Sequence, residues 1–494
     1  MTNDLLTLLP LMLTLGLALT IRNTLLALLV GILSGALVLH QFQATESVQY
    51  IYSLVIKQFH DKGSWQSWHL NILSTMLLLG IMTKMLARSH AVTEFGYWLS
   101  HRITSQRQAR LGIIFLGWFV FIDGLFSCLA VGNICRPLAS RYKIPKTQLA
   151  YFVDANASSM CSLIPFSSWG PFVIAILASI SFLPISPIHS FAEIAQMNFY
   201  AISTLFIALL IAWSGTGFHT SAIKLDLDVD SDHKGTPWLL MLPILTLLIG
   251  SVLLILISGA QTTDSTNISD WLAHADIGSS MRNASLASVL VALISLTITG
   301  RHWRDLTKDI MAGVNTMRFA ICILIFTWLI SQIVSDLKVA HLLANWADIY
   351  LSSQYLLAGL FFLCALMAFS TGSSWGTFGI MLPIGGEIAH LLEPVLVLPA
   401  LSAVMAGSVF GDHCSPISDT SVLSATSSGC TPQQHVLTQL PFALIAAFVS
   451  AIGFQLINWG MNYWLVMFSV FITASCLILL LSTKVNTDSP PEAA

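Results

Sequence analysis

Asp123, Asp154, Asp412 and Asp419 stand inside or beside apolar stretches, and their carboxylates are the groups best suited to chemistry in this chain. An ionised aspartate at the centre of a hydrocarbon layer costs roughly 2.5–3.5 kcal/mol on insertion scales, so such residues usually line a cavity or bind a partner. Carboxylates, hydroxyls and freed backbone carbonyls together form a hard oxygen cage, which suits Na+ or H+ better than soft metals. The four aspartates therefore predict a cation site.

The richest polar segment is FGDHCSPISDTSVLSATSSG, residues 410–429, which lies between two apolar stretches. Pro416 removes a backbone donor and predicts a helix break. We expect an ion site at this break, with oxygen donors from Asp412, Ser415, Ser418, Asp419 and Thr420. The alternative is a solvated loop that joins two helices. His413 is a candidate proton carrier; its neighbour Cys414 points about 100° away on a helix, which disfavours zinc.

Three further segments place polar side chains at membrane depth. Residues 121–133 hold a lone carboxylate, residues 151–170 hold an Asp, an Asn and a Ser-Ser pair, and residues 369–383 alternate hydroxyls with glycines. The alternative for the last segment is plain helix packing, because small residues let helix backbones approach closely. On the functional interpretation these segments contribute further residues to an ion- or substrate-binding site, namely Asp123, Asn133, Asp154, Asn156, Ser168, Thr371, Ser373, Ser374 and Thr377.

The composition indicates the solvent around these groups. The chain has 494 residues, of which 55% are hydrophobic and only 9% are charged, whereas a soluble domain carries about 25% charged residues. We therefore predict an all-α, polytopic membrane protein. The formal net charge of −3 argues against a nucleic-acid partner. The eight cysteines form no CxxC pair, and we interpret them as small apolar fillers.

Apolar stretches near the length of about 20 residues that a spanning helix needs recur along the chain. The candidates are 5–21, 24–41, 70–87, 111–131, 168–185, 197–214, 236–258, 283–299, 317–335, 355–370, 395–410, 436–457 and 461–482. Residues 148–165 and 372–392 are apolar but contain Gly, Ser, Pro or Asp, and we interpret them as broken or re-entrant helices. The sequence thus predicts about 11–13 crossings.

Basic loops indicate orientation, because short cytoplasmic loops are enriched in Lys and Arg. Loops 84–110 and 301–318 are basic, so we expect both to be cytoplasmic. The acidic stretch 218–236 lies two predicted spans before the second of these loops, and we interpret it as a cytoplasmic linker. The basic stretch 136–146 conflicts with this arrangement unless a neighbouring segment is re-entrant.

The sequences of the two halves of the chain show a weak internal similarity. FIDGLFSCLAVGNICRP (121–137) precedes YFVDANASSMCSLIPFSSWG (151–170), and FSTGSSWGTFGIMLP (369–383) precedes SVFGDHCSPISDTSVLSATSSG (408–429). Secondary transporters commonly use inverted repeats whose interrupted helices meet at the substrate site. We divide the chain into a first half (1–217), the acidic linker (218–236), a second half (237–484) and a polar tail (485–494).

These motifs resemble the NhaC-type Na+/H+ antiporter family of the ion-transporter superfamily. In the second half the resemblance is carried by GSSWGTFGIMLPIG (372–385), GSVFGDHCSPISDTSVLSATSSGC (407–430) and HVLTQLPFA (435–443). In the first half VGNICRPL, LAYFVDANASSMC and PFSSWG look like the corresponding family stretches. The resemblance implies two inverted repeats with re-entrant hairpins, a bacterial inner-membrane location and transport coupled to Na+ or H+. Organic-solute carriers, including malate/lactate exchangers and amino-acid carriers, are among the relatives.

One stretch departs from the family pattern. Relatives often carry a second acid, an aromatic residue and an Asn where this chain reads DGLFSC, residues 123–128. Asp123 is kept, while Gly124, Leu125 and Ser127 replace groups that could help to coordinate an ion or a substrate. The departure leaves the transported solute open.

We therefore predict a secondary active transporter that exchanges Na+ for protons by alternating access. Asp412 and Asp419 would exchange the two ions, and hydroxyls and carbonyls of 371–377 and 415–420 would complete the cage. From the other repeat, the same cavity would be lined by Asp123, Asp154 and Asn156. Rocking of one bundle against the other would give access from each side. We expect Na+ and H+ to be the coupling ions and membrane lipid to surround the protein. We expect no organic cofactor, and whether the protein forms a homodimer is left open.

The main alternative is Na+- or H+-coupled transport of a small organic acid or amino acid on the same scaffold. An intramembrane aspartyl protease is disfavoured, because residues 409–412 read Val-Phe-Gly-Asp rather than Gly-x-Gly-Asp. A channel is disfavoured, because the broken helices carry scattered carboxylates and no ring-forming filter motif. We expect no enzymatic activity.

Overall fold

The structure is almost entirely helical. The computed structural model describes residues 2–21, 23–61, 63–89, 91–215, 237–263, 267, 271, 274–338 and 353–487. Before residue 216 the helices are α1 (Thr2–Ile21), α2 (Thr24–Leu39), α3 (Ala44–Phe59), α4 (Ser67–Ala87), α5 (Ala91–Ser100), α6 (Gln106–Phe119), α7 (Gly124–Arg141), α8 (Lys146–Leu163), α9 (Trp169–Ala178), α10 (Pro187–Gln196) and α11 (Phe199–Ser214). A small antiparallel hairpin of β1 (His60–Asp61) and β2 (Ser64–Trp65) lies between α3 and α4.

The second half repeats this helical character. Its helices are α12 (Trp238–Thr262), α13 (Ile277–Ile298), α14 (Trp303–Asp336), α15 (Leu356–Thr371), α16 (Ser374–Leu392), α17 (Val397–Cys414), α18 (Asp419–Ser428), α19 (Pro432–Asn458) and α20 (Tyr463–Thr487). Short 3-10 turns precede α15 and α17, at Ser353–Tyr355 and Pro394–Leu396. The predicted linker 218–236 lies outside the described residues, as do residues 488–494 of the predicted tail. The division into halves and linker therefore stays a prediction.

Long apolar helices confirm the predicted class of polytopic, all-α membrane protein. Within the described part of the chain, seven spans are long and apolar enough to cross a membrane. They are Ser67–Ala87, Trp238–Thr262, Ile277–Ile298, Trp303–Asp336, Pro394–Cys414, Pro432–Asn458 and Tyr463–Leu480. An eighth results if α10 and α11, which are bent by 47°, form one span.

Helix breaks and short helices explain why this count is lower than the predicted number of crossings, since α2 and α15 are apolar but only 16 residues long. The predicted span 111–131 consists of α6 and α7, separated at residues 120–123, and the predicted span 168–185 contains only the ten-residue helix α9. Residues 148–165 and 372–392, interpreted from the sequence as broken or re-entrant helices, contain the continuous helices α8 and α16, and the breaks lie at the ends of these helices. Hydropathy does not distinguish a straight helix from a broken pair, so it did not locate these breaks, whereas the break predicted at Pro416 lies between α17 and α18.

Glycines allow α15 and α17 to pack in close contact. A Cβ on Gly407 would lie 2.1 Å from the Phe361 carbonyl oxygen, and a Cβ on Gly411 would lie 2.1 Å from that of Ala365. The two glycines are four residues apart and therefore share one face of α17. Small residues at this spacing are a common basis of helix association in membranes.

Two breaks in each half bring the halves together. They lie at residues 120–123 and 164–168 in the first half, and at residues 372–373 and 415–418 in the second. The helices beyond the breaks cross between halves, because α18 contacts α7 and α8 while α9 contacts α16. This matching order of breaks agrees with the predicted internal repeat and places all four breaks near one another.

Candidate ion-binding site

The break at residues 120–123 positions the Asp123 carboxylate at the start of α7. Its Oδ1 accepts a 2.9 Å hydrogen bond from the Phe126 amide, which caps the helix. Its Oδ2 accepts a 2.9 Å hydrogen bond from the Ser168 hydroxyl at the second break. The Ser168 amide donates in turn to the Ile122 carbonyl at 2.6 Å. The two breaks of the first half are thus joined around one buried carboxylate.

The Asp412 carboxylate occupies a comparable position at the end of α17. Its Oδ2 accepts a 2.9 Å hydrogen bond from the Ser374 hydroxyl of α16. In the adjoining break, the Ser415 hydroxyl donates to the Phe369 carbonyl of α15 at 2.8 Å. This bond fastens the fourth break to the helix that precedes the third, so the second half also gathers its breaks around a buried carboxylate.

A glycine permits the tight approach between these breaks. Gly372 follows the last residue of α15 and has a φ of +65°, a backbone conformation that residues other than glycine adopt only at a cost in free energy. A Cβ on this residue would also lie 2.9 Å from the Ile417 carbonyl oxygen. Ser373 then has an extended backbone and caps α16 by accepting a 3.4 Å hydrogen bond from the Gly376 amide.

A cavity of about 190 Å³ lies where the breaks of the two halves meet. Carboxylates of Asp123, Asp412 and Asp419 line it, and the first two are 3% and 4% exposed. Hydroxyls are contributed by Ser373, Ser374, Ser418, Thr420 and Thr316. The lining formed by the described residues contains no Lys, Arg or His. The cavity therefore combines negative charge with hydroxyl oxygens.

Two Ser-Ser-Trp-Gly motifs, residues 167–170 and 373–376, build matching parts of the cavity wall. In each motif the second serine donates to one of the buried aspartates. The rings of Trp169 and Trp375 meet edge to face with centroids 5.9 Å apart. Each motif is followed by a phenylalanine three residues after its tryptophan, and each tryptophan packs on the phenylalanine of the opposite motif. The ring centroids are 5.6 Å apart for Trp169–Phe378 and 4.8 Å apart for Phe172–Trp375. The contact between α9 and α16 is therefore reciprocal.

Seven predicted site residues line this cavity. They are Asp123, Ser373, Ser374, Asp412, Ser418, Asp419 and Thr420. Ser168 and Ser415 are outside the lining but support it through the hydrogen bonds described above. The hydroxyls of Thr371 and Thr377 bond to backbone carbonyls at Met367 and Ser373, and Asn133 is exposed on α7, so these three are not brought to the cavity.

Asp154 and Asn156 do not line this cavity, contrary to the sequence prediction. Both side chains are 0% exposed. The Asn156 amide donates to the Phe152 carbonyl at 2.6 Å and lies against Gly117 of α6. The direction in which a polar residue of a buried helix faces is set by tertiary packing, and the sequence pattern carried no information about it.

Asp154 instead forms the centre of a second buried polar cluster. Oδ2 lies 2.9 Å from His435 Nε2, 3.0 Å from the Ser421 hydroxyl and 3.3 Å from Gln439 Nε2. The Ser424 hydroxyl lies 3.5 Å from Oδ1. Sequence reasoning missed all four of these partners. A usable signal existed in α19, where His435 and Gln439 are polar, four residues apart and so on one face of the helix.

His413 also belongs to the second cluster rather than to the cavity. Its Nδ1 lies 2.7 Å from the Tyr200 hydroxyl, and its Nε2 lies 3.8 Å from Asp154 Oδ2. The neighbouring residue Asp412 faces the cavity. In the same way Thr420 lines the cavity while Ser421 bonds to Asp154. The two sites therefore lie on different faces of α17 and α18.

Comparisons with known proteins agree with the motifs. The model of the Na+/H+ antiporter family matches residues 160–459. An uncharacterised protein of Haemophilus influenzae is 36% identical over 468 residues, which cover 91% of this chain and 90% of that protein. The malate-2H+/Na+-lactate antiporter of Bacillus subtilis is 29% identical over 186 residues, 35% of this chain and 37% of that protein.

Solved structures show the same fold. The structure of Neisseria gonorrhoeae MtrF, described as illuminating a class of antimetabolite efflux pumps, aligns with a TM-score of 0.59 at 16% identity and covers 84% of this chain and 85% of that chain. The family match spans more than half of the chain. The chain therefore belongs to the Na+/H+ antiporter family, as its motifs indicated, and is a multi-pass membrane transport protein.

Proposed function

We propose that the protein is a Na+/H+ antiporter of a bacterial inner membrane and that the cavity between the breaks holds Na+. The observation that carries the proposal is the charge of the lining, which includes three carboxylates and, among its described residues, no basic side chain. Such a lining attracts a small cation and repels an anion. The family is one of transporters, so transport rather than catalysis is the proposed activity.

The proposed Na+ ligands come from both halves of the chain. Asp123 and Asp412 offer carboxylate oxygens, and Ser373, Ser418 and Thr420 offer hydroxyl oxygens on the same cavity. Serine hydroxyls donate to Asp123 from Ser168 and to Asp412 from Ser374 and Ser418, and a carboxylate offers about four lone-pair sites, so lone pairs remain for a cation. Asp419 is exposed, unlike the other two aspartates, and we assign it to the cavity entrance, where its charge draws cations inward.

Exchange requires that Na+ reaches this cavity alternately from each side of the membrane. Because α9 of the first half contacts α16 of the second at the cavity wall, relative motion of the halves would open or close access there. Na+ and H+ are the coupling ions of the proposal, and it needs no organic cofactor.

The alternative is Na+- or H+-coupled transport of a small organic acid or amino acid, and the cavity supports its organic-acid form less well than Na+/H+ exchange. A carboxylate substrate would meet the carboxylates of Asp123, Asp412 and Asp419 without a basic partner among the described lining residues. Burial of an unpaired charge is costly. The relative that exchanges malate and lactate aligns with only 35% of this chain.

The proposal is tested in everted membrane vesicles from a host without its own antiporters. Respiration generates a pH gradient, and its collapse is followed with a fluorescent amine after addition of Na+, Li+, K+, malate or lactate. We expect Na+ to collapse the pH gradient in vesicles that contain the wild-type protein and not in vesicles that contain the Asp412→Asn variant. Asp305→Asn is the matched control, because Asp305 is a surface carboxylate paired with Lys308 at 3.5 Å.

Two outcomes would contradict the proposal. If neither Na+ nor Li+ collapses the gradient with the wild type, Na+/H+ exchange is wrong. If malate or lactate collapses it and Na+ alone does not, the organic-acid alternative replaces it.

A further inference from the structure

We propose that the transported proton binds to a separate site, the buried pair of Asp154 and His435, rather than to the carboxylates of the Na+ cavity. The inference rests on the proposed Na+/H+ exchange and assigns its proton to particular residues. It starts from the second polar cluster, in which both side chains are 0% exposed and His435 Nε2 lies 2.9 Å from Asp154 Oδ2.

The donor groups around Asp154 disfavour a metal cation at this carboxylate. Ser421, Ser424 and Gln439 direct donor groups at the carboxylate, in addition to the His435 ring. A cation would have to displace these donors, whereas donors around a carboxylate stabilise its ionised form. The carboxylate therefore stays ionised, and the group beside it that can gain or lose a proton is the imidazole.

The position that receives the proton is His435 Nδ1. Because Nε2 faces the carboxylate, the neutral ring carries its hydrogen on Nε2 and leaves Nδ1 unprotonated. Nδ1 is buried and has no hydrogen-bond partner among the residues that the structure describes. Protonation at Nδ1 converts an ionised carboxylate beside a neutral ring into a neutral ion pair. That change removes a net charge from an apolar interior, which favours proton uptake.

Other titratable groups face the pair from the neighbouring helices. His413 is the closest, but its Nε2 lies 3.8 Å from Asp154 Oδ2, and its Nδ1 is bonded to Tyr200. The titratable groups that interact with the pair are Asp412, His413 and Cys414 of α17, Tyr200 of α11 and Cys128 of α7. His435 lies nearer to the carboxylate than His413 does, and its 2.9 Å contact couples the charge of its ring to Asp154.

The break at residues 415–418 connects the two sites mechanically. Before the break, the His413 carbonyl accepts hydrogen bonds from Gln439 at 2.5 Å and from Ser421 at 3.4 Å. The preceding residue, Asp412, faces the cavity. On the other end, Ser421 bonds to Asp154 and Thr420 faces the cavity. Both helix ends that carry Na+ ligands therefore also contact the cluster around the pair, which offers a route for coupling proton binding to Na+ transport without a ligand shared by the two sites.

The test separates proton coupling from Na+ transport. Wild type, His435→Gln, Asp154→Asn and the control His390→Gln are reconstituted in proteoliposomes; His390 stacks on Phe182 at 4.4 Å and belongs to neither site. Two rates are measured: Na+-driven proton movement across pH, and exchange of labelled for unlabelled Na+ at equal pH. We expect His435→Gln and Asp154→Asn to lower the first rate roughly tenfold or more and flatten its pH dependence, with the second rate within about twofold of wild type.

Proton uptake by the purified protein without Na+ provides a readout that does not depend on transport. We expect the wild type to take up about one proton more than His435→Gln as the pH is lowered, and Asp154→Asn, which keeps the His435 ring but removes its carboxylate partner, to show the same loss. If the wild type exchanges no Na+ for protons, the proposed function fails, and this uptake difference still tests the site.

Three results would overturn the inference. The first is normal pH-dependent exchange in both variants. The second is equal proton uptake by wild type and His435→Gln. The third is loss of Na+/Na+ exchange together with proton coupling in variants that remain monodisperse, because the two sites would then not be separate.

Discussion

Asp123 and Asp412 are oriented by serines in the same way, although they belong to different halves of the chain. Each accepts a 2.9 Å hydrogen bond from the second serine of a Ser-Ser-Trp-Gly motif. A donor of this kind fixes the direction of a carboxylate oxygen and leaves its other lone pairs free. Partners that orient a ligand often matter for cation affinity nearly as much as the ligand itself.

Removal of either serine hydroxyl should therefore weaken Na+ binding without abolishing it. A hydrogen bond to a charged group contributes about 1.5–3 kcal/mol, and part of that energy orients the ligand, so we expect Ser168→Ala and Ser374→Ala each to raise the Na+ concentration for half-maximal exchange about tenfold. The half-maximal Na+ concentration is measured from Na+/H+ exchange in everted vesicles. Ser370→Ala is the control, because its hydroxyl bonds at 2.8 Å to Leu366 of its own helix. An unchanged Na+ dependence in both variants would show that the serines do not position the site.

Individual site residues were predictable where their type is uncommon in an apolar chain. Asp123 and Asp412 stood out as carboxylates at membrane depth, and both line the cavity. Asp154 stood out for the same reason, but it belongs to the other cluster. A residue type indicates that a group needs a partner, and only packing decides which partner it meets. His435 was missed because its spacing from Gln439 indicates a shared helix face but not which residue that face contacts.

At the scale of helices, the breaks have different physical origins, and this decided which of them the sequence revealed. Pro416 marks the break at 415–418, which lies where it was predicted. The break at 120–123 has no proline, and it is stabilised by the Asp123 side chain, which caps α7. A cap of this kind is recognisable only when the helix start is already known, so hydropathy merged α6 and α7 into one span.

The close approach of α15 and α17 gives a prediction about stability. Gly411→Ala places a methyl group where a Cβ would lie 2.1 Å from the Ala365 carbonyl oxygen, so the helices must move apart. Overpacking typically costs about 1–3 kcal/mol, and we expect a lower midpoint of thermal unfolding in detergent. Gly359→Ala on α15 is the matched control, since a Cβ there meets nothing within 4 Å. Equal midpoints for the two variants would show that this contact tolerates a side chain.

At the scale of the whole molecule, the site belongs to both halves at once. Helix α18 of the second half contacts α7 and α8 of the first, and α9 contacts α16 in return. The charge-poor composition predicted a membrane protein, and the polar motifs predicted the family, which the family match over residues 160–459 confirms. The crossing of the halves depends on contacts between residues more than 250 positions apart, such as Asp154 with Ser421. No local periodicity encodes such contacts, which is why the separation of cavity and buried pair emerged only from the structure.

The measurement that tests the central claim most directly is binding of radiolabelled Na+ to the purified protein at equilibrium. Wild type and the surface control Asp305→Asn should bind Na+ saturably, and we expect Asp123→Asn and Asp412→Asn to bind it at least about tenfold more weakly, because each removes one carboxylate from the cavity. Saturable binding of unchanged affinity in both cavity variants would contradict the assignment of Na+ to this cavity.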